Sequence, residues 1–297
     1  MIFRKKKTIV THSSHFHPDD VCAVAVLHIL LNGKYKLTRT RNMEIAKKAD
    51  FLVDFGGEHE PSRGRFDHHQ AAGAGVRDDG TPYSSFGLVW KEYGEKICGS
   101  ASVAKTIDKK IIEGMDSLDN GIDFPLNKNG VESYSFGDFL HGWNPVWNED
   151  ENTRDARFQI AVGYAVAMLN RTVEREKNNE KGREFTEAIY QKSADKKIIV
   201  LERGYPWRKV LSGYPEPLMV VYPNAQDKTW SAKAVSVSEN RFENRITFPK
   251  AWAGKRDSEL AQISGVADAT FCHSALFIAV AKSKEGAIAL AKKAIEA

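Results

Sequence analysis

Lys7-Thr-Ile-Val10 runs into Thr11-His-Ser-Ser-His-Phe-His-Pro-Asp-Asp20 and then into Val21-Cys-Ala-Val-Ala-Val-Leu-His-Ile-Leu-Leu31. The first segment predicts a short buried strand, the second a polar loop, and the third a buried helix. Asp19 and Asp20 fall near the positive end of that helix. Asn32-Gly33 stops it, and Lys36-Leu-Thr-Arg-Thr40 predicts the next strand. Phe51-Leu-Val53 predicts a third, ending in Asp54-Phe-Gly-Gly57, and Arg65-Phe66 leads into Asp67-His68-His69. Strands alternating with helices imply a parallel sheet with right-handed crossovers, whose chemistry collects at the carboxyl ends of the strands. Each His/Asp group here falls where an apolar strand gives way to a loop.

Further along, residues 84–116 read as helical with an interruption at Gly99, followed by the polar corner Asp116-Ser-Leu-Asp119-Asn-Gly121. Residues 152–192 carry long helical patterns, and the charged residues 174–181 read as a solvated face or connector. From residue 196 the pattern changes to strands at Ile198-Ile-Val-Leu201, Leu218-Met-Val-Val-Tyr222, Lys233-Ala-Val-Ser-Val237 and Ala275-Leu-Phe-Ile-Ala-Val280. Residues 285–297 predict a closing helix. With 297 residues the expectation is two domains, 1–180 and 196–297. The 43 Lys+Arg against 39 Asp+Glu make the chain mildly basic, which neither demands nor excludes a nucleic-acid partner. Three widely spaced cysteines argue against a disulfide-stapled secreted scaffold and for reducing cytoplasm. No apolar run reaches membrane-spanning length, and no membrane partner is expected.

Histidine carries the functional signal, because seven of nine lie between His12 and His69. A lone histidine or aspartate at a strand end is usually a satisfied polar residue or a cap. Asp67-His68-His69 cannot all enter one core, and burying them unpaired would be costly. Mixed imidazole and carboxylate donors without thiolate suit Mn, Fe, Co or Zn. Two divalent ions need a bridging ligand, and a strand-end carboxylate such as Asp54 is well placed to supply it.

The motifs Thr11-His-x-x-x-Phe-His-x-Asp19, Val53-Asp-x-Gly-Gly-Glu58, Phe66-Asp-His-His-Gln70 and Asp116-x-x-Asp-Asn-Gly121 resemble those of the DHH phosphoesterase superfamily. Within it they are similar to the branch of the melanocyte proliferating gene proteins. Asn144-Pro-x-Trp-Asn148, Pro206-Trp207, Asn244-Arg-x-x-x-Pro-x-x-Trp-x-Gly-x-Arg-Asp257, Ser264-Gly265, His273-x-x-x-Phe-Ile278 and Glu285-Gly-Ala287 extend the resemblance over nearly the whole chain. It implies an α/β fold, with a doubly wound parallel sheet carrying the metal site and a smaller C-terminal α/β domain that binds substrate. It implies a metal-dependent hydrolase and, as in eukaryotic members, a 3′–5′ RNA exonuclease. By motif position, His12, His17 and Asp19 are ligands and Asp54 is the bridge. His68 with Asp67 or His69 completes the site, and Asp116 or Asp119 closes the second metal. Asp54, His68 and His69 are the catalytic candidates, and two divalent ions, Mn2+ first with Mg2+, Co2+, Fe2+ or Zn2+ as substitutes, are the cofactors. His15 and the Asp19-Asp20 pair depart from the family pattern, and His15 reads as a loop residue. The family's Phe-Ile-Gly-Gly-His segment is Phe277-Ile-Ala-Val-Ala281 here, a change at the substrate end.

Residues 228–256 hold Lys228, Lys233, Arg241, Arg245, Lys250, Lys255 and Arg256 interleaved with Trp230, Phe242, Phe248 and Trp252. Cations along a backbone with aromatic platforms suit single-stranded nucleic acid. Arg245, Trp252 and Arg256 lie inside the matched signature and, with His273 and Ser274, form the expected substrate contacts. Two other functions compete: a phosphohydrolase of a dinucleotide or pyrophosphate-like small molecule, and a catalytically silent binder of metal and nucleic acid.

Overall fold

Residues 7–11 extend as β1 (Lys7–Thr11), and the apolar run beyond the polar loop coils as α1 (Pro18–Leu30) in the computed structural model. The structure describes residues 6–122, 129–130, 133–239, 241 and 243–297. Pro18 occupies the first helical turn, where a missing N–H leaves nothing unsatisfied, and Asp20 Oδ1 accepts from the His17 N–H at 3.1 Å. Every residue from 21 to 27 is fully buried, as a helix apolar on all sides must be.

Tyr35–Arg39 forms β2, Met43–Ala46 the short α2, Phe51–Val53 β3, His59–Glu60 β4 and Arg65–Phe66 β5. The sheet order is β2-β1-β3-β5-β4, parallel throughout except for β4 at the edge. The chain leaves β1 for β2 on one side and later places β3 on the other. The carboxyl ends of β1 and β3 therefore open a crevice at a topological switch point, where α/β sheets bind ligands. Helices α3 (Ser85–Cys98), α4 (Ala101–Ile107), α5 (Glu113–Asp119), α6 (Phe136–His141) and α7 (Arg154–Lys192) follow. A π-helical turn at Asp108–Ile112 joins α4 to α5. α1 packs on α3 and β3, and Phe16, Phe66, Phe86, Phe158 and Leu169 fill the same core.

The chain divides into two compact units, Met1–Lys177 and Asn178–Ala297, and the division falls within α7. In the second unit β6 (Ile198–Val200), β7 (Met219–Pro223), β8 (Trp230–Ala234), β9 (Ala269–Cys272) and β10 (Ile278–Ala281) make one sheet ordered β6-β7-β8-β10-β9. Only the β6–β7 pairing is parallel. The short α8 (Arg208–Leu211) and α9 (Asp257–Ser264) connect strands, and α10 (Lys284–Glu296) buries Ala287, Leu290, Ala291 and Ala294 in that unit's core. Both units are α/β. Among the described residues, no helix is long and apolar enough to cross a membrane.

The structure differs from the sequence reading in the second unit. The strand expected at 233–237 lies at 230–234, and the one expected at 275–280 begins at 278, with β9 unread before it. The turn between β9 and β10 contains no glycine or proline. His273 Nδ1 accepts from Ala275 N at 3.0 Å, and Leu276 takes φ +56° instead. A hairpin whose bend is made by His-Ser-Ala-Leu leaves no punctuation to read.

Gly64 sets the spacing of the strands that carry the acidic residues. Its φ is +69°, its carbonyl accepts from Leu52 N at 2.8 Å, and a Cβ there would lie 2.2 Å from the Asp50 carbonyl oxygen. Gly64→Ala should lower stability by about 1–3 kcal/mol, the usual cost of a strained backbone. Chemical denaturation measures this, and an unchanged midpoint would mean β3 and β5 yield without cost.

Candidate metal centre

Asp54 follows the last residue of β3, and its amide donates to the Phe66 carbonyl of β5 at 2.9 Å. Its φ of +53° is unusual for a residue other than glycine, and its side chain is almost wholly buried. That conformation turns the two carboxylate oxygens toward different histidines. Oδ2 lies 3.2 Å from His12 Nε2, whereas Oδ1 lies 3.4 Å from His68 Nε2 and 3.5 Å from His69 Nδ1. Ser85 Oγ, at the start of α3, donates to Oδ1 at 3.1 Å. Burial works to raise the Asp54 pKa, but the His12 and His68 hydrogen bonds outweigh it and hold the carboxyl far below its ordinary range.

The loop after β1 brings His12 and His17, and the first turn of α1 brings Asp19 and Asp20. His12 Nδ1 is 3.0 Å from the Ser13 carbonyl, so a donating Nδ1–H leaves the Nε2 lone pair facing the cluster. Two distant residues fix this loop. Asn144 donates to the Phe16 carbonyl at 2.9 Å and accepts from the Phe16 amide at 3.1 Å. Arg39 donates to the Ser14 carbonyl at 2.7 Å. From β5 comes His68, whose Nε2 lies 3.2 Å from Asp119 Oδ2 and 3.8 Å from Asp19 Oδ2.

Three sets of donor atoms each lie within 4.8 Å of one another: His12, His17 and Asp54; Asp54, His68 and His69; His17, Asp19 and Asp119. The first two share Asp54. Both oxygens of Asp19 are buried with no hydrogen-bond partner. Burial and the neighbouring carboxylates push the Asp19 pKa well above its usual range, and burial pushes Asp20 up to about 8. Burial also raises Asp119. A buried carboxylate with nothing to accept, among oxygen and imidazole donors and no thiolate, fits a divalent cation. Two such ions sharing Asp54 fit the donor sets.

Asp67 and Asp116 require correction as ligands. Asp67 accepts from Gly57 N at 2.5 Å and lies 2.7 Å from His69 Nδ1, so it orients His69. Asp116 lies in α5, not in a loop. It accepts from Ser84 Oγ at 2.5 Å and Gly87 N at 3.1 Å and pairs with Arg77 at 2.7 Å, so its carboxylate is turned to the start of α3 and lies outside the three donor sets. Asp119, one turn later in the same helix, is the residue beside His68. His15 lies outside these donor sets, with Nδ1 2.8 Å from an Arg154 nitrogen. Ser85 and Arg41 went unread, since neither stands in a His/Asp motif.

Two hollows flank the cluster, both lined by His17 and His69. One, of about 410 Å³, has Met115, Leu118, Asp138 and His141 in its walls. The other, of about 380 Å³, is lined by Arg41, Asp54, Gly56 and Gly57.

In the second unit the expected substrate residues separate. Trp252 is buried and stacked on Phe248 at 5.9 Å, so it is core and not a platform. Arg245 donates to the carbonyls of Pro217 at 2.9 Å and Ser212 at 3.0 Å, so its fork is committed to the backbone. Phe242 lies outside the described residues. Arg256 is exposed, its guanidinium 4.6 Å from the Phe271 ring centre. The His273 ring lies 4.5 Å from the Phe277 ring, tilted by 48°, and Lys233 lies 5.4 Å from the same ring. Ser274 is exposed beside them. Phe271 lies in the unread β9, and Phe277 was read as part of a strand and of the family motif but not as an open ring face.

The model of the MYG1_exonuc family, described as an uncharacterised protein family (UPF0160), matches residues 8–295. A MYG1 protein of Caenorhabditis elegans is 32% identical over 328 residues, covering 97% of this chain and 95% of its own length. The human MYG1 exonuclease is 28% identical over 319 residues, covering 96% of this chain and 84% of its own. Among solved structures, RecJ from Thermus thermophilus in complex with Mn2+ overlaps 98% of this chain and 52% of its own, at 12% identity. The TM-score of that overlap is 0.29.

Metal content of purified variants tests the centre. Asp54→Ala should lose most bound metal, because each ion loses a bond and their mutual repulsion goes unbridged, whereas His15→Ala should keep it. Asp19→Asn should bind less metal yet melt higher than the parent at neutral pH once both are chelated, because folding no longer has to bury a carboxyl whose charged form burial and its neighbours disfavour. For the parent, metal at a hundred times its dissociation constant should stabilise by about 2.7 kcal/mol. Equal metal loss in Asp54→Ala and His15→Ala would refute the ligand assignment.

Proposed function

The chain belongs to the MYG1_exonuc family, and from that membership and the centre's geometry we propose a 3′–5′ exonuclease on short single-stranded RNA. The coarser class, a metal-dependent phosphoesterase of the exonuclease type, is the family's. One observation carries the reading: Asp54 faces His12 with one oxygen and His68 with the other, as a carboxylate shared by two cations must. His12, His17 and Asp54 would hold one ion, and Asp54 and His68, with Asp19 and Asp119 beside them, the other. Two such ions, Mn2+ in this reading, would supply charge stabilisation to an in-line phosphoryl displacement when bound.

The chain's own residues do the rest. Asp67 holds His69 by Nδ1, so Nε2 of this exposed ring can hold or give a proton in the hollows it lines. Ser85 fixes the Asp54 carboxylate from the helix side. In the second unit, Arg256, Phe271, His273, Phe277 and Lys233 offer cations beside half-buried ring faces, the combination that tracks a single strand.

A second reading, hydrolysis of dinucleotides, is favoured by the loss of Arg245 and Trp252 to structural roles. With fewer grip residues than the sequence suggested, short substrates suffer least.

Oligoribonucleotides of two to ten residues, labelled at either end and incubated with Mn2+, test both readings. The expected result is stepwise loss from the 3′ end, with dinucleotides also cleaved. Cleavage of dinucleotides alone would select the second reading, and stoichiometric metal with binding but no nucleotide release would leave a silent binder.

Paired variants test the second unit. Phe277→Ala should weaken oligonucleotide binding roughly tenfold, within the range for one base stack, at an unchanged melting temperature. Arg245→Ala should do the reverse, lowering the melting temperature with affinity retained in the folded fraction. The opposite assignment of effects would restore Arg245 as a phosphate contact.

A further inference from the structure

Arg39 and Arg41 stand two residues apart at the end of β2, and the fold uses them differently. The Arg39 guanidinium is nearly buried, donates to Ser14 O and Asp155 Oδ1, and lies 4.5 Å from the Phe158 ring centre. Arg41 is exposed and makes no hydrogen bond or ion pair with the described residues. It nevertheless lines the hollow beside Asp54 and His69. An arginine that lines the same hollow as two carboxylates and pairs with neither is available to an anion from outside.

Among the described residues lining the two hollows, Arg41 is the one permanent cation. The carboxylates that share its hollow are already engaged. Asp67 accepts from Gly57 N and holds His69, and Asp54 faces His12 and His68. Gly56 and Gly57 line the same hollow with φ of +106° and +72°; a Cβ would press on the Leu52 side chain at Gly56 and meet nothing within 4 Å at Gly57. Bare backbone in a hollow that also holds an unpaired guanidinium leaves room for a phosphodiester to lie close. Among the described residues, the lining of the other hollow carries no lysine or arginine and presents the apolar side chains of Met115 and Leu118. That wall suits a base.

We propose that Arg41 binds the phosphate next to the scissile one. The substrate then lies with its terminal nucleoside in the Met115–Leu118 hollow, the scissile phosphate over the metal centre, and the following phosphate at Arg41. The assignment rests on the phosphodiesterase reading above and adds to it a direction across the site and a residue that selects chains over single esters. A substrate with one phosphate leaves Arg41 unused. One with two or more engages it.

The test compares Arg41→Ala and Arg41→Lys with the parent on two substrates. One is a five-residue oligoribonucleotide, and the other a p-nitrophenyl ester of a nucleoside monophosphate, which carries the scissile phosphate and no other. For Arg41→Ala, kcat/KM on the oligonucleotide should fall roughly tenfold or more, mainly through KM, as expected for one charge-assisted contact. On the ester it should be unchanged. Lysine should recover part, since an ammonium keeps the charge and loses the fork. In fluorescence anisotropy of the same oligonucleotide on chelated protein, the slope of log affinity against log salt should become shallower by about 0.7. Equal losses on both substrates, loss of bound metal, or an unchanged salt slope would overturn the assignment. A parent protein inactive on both substrates would defeat the phosphodiesterase reading instead, and the anisotropy measurement would still decide Arg41.

Discussion

Four carboxylates, Asp19, Asp20, Asp54 and Asp119, are withdrawn from water at the carboxyl ends of β1 and β3 and the helices that follow, with imidazoles as their neighbours. Such a knot is unstable on its own terms, since each charge is removed from solvent and repelled by the others. The chain meets this partly by raising the pKa of Asp19, Asp20 and Asp119, and partly by surrounding Asp54 with histidines. What remains unmet, above all the two unpartnered oxygens of Asp19, is a demand for cations. The parallel sheet, the buried α1 and the positive φ at Asp54 are the scaffold that holds these like charges together long enough to be useful.

Most of the first unit was legible because its chemistry coincides with punctuation. A strand ending in histidine or aspartate announces both the end of the strand and a candidate ligand, so β1, α1, β2 and β3 and the residues His12, His17, Asp54 and His68 could be read together. Asp116 and Asp119 could not be told apart by sequence, because both belong to one motif. Their three-residue spacing puts them on one face of α5, where Asp116 meets Arg77 and the start of α3, and Asp119 meets His68. Which carboxylate faces the centre is a matter of what packs against the helix, and that information lies at residues 77, 84 and 87.

The second unit was less legible for a related reason. Arginine and tryptophan are chosen for phosphate and bases, but they are equally good at tying backbone carbonyls and filling cores. Arg245 collects two carbonyls, and Trp252 stacks on Phe248 inside the sheet's core. The rings left partly open to solvent, Phe271 and Phe277, sit on either side of a hairpin turn that carries no glycine. A pattern of residue types could list the candidates, whereas burial divides them.

The grip of Asn144 on the Phe16 backbone gives the centre a history as well as a shape. Asn144 stands 128 residues beyond Phe16, so a growing chain holds His12 and His17 in hand long before the residue that fixes their loop exists. At about 5–20 residues per second of synthesis that interval is on the order of ten seconds. During it the histidines and acids belong to an open, water-filled segment with the donors of a chelator and none of its geometry. Selectivity for the right ions therefore cannot be established as the first loop emerges. It arrives late, when the helix-rich half of the unit closes on the sheet, and any ion caught earlier must be exchanged or kept.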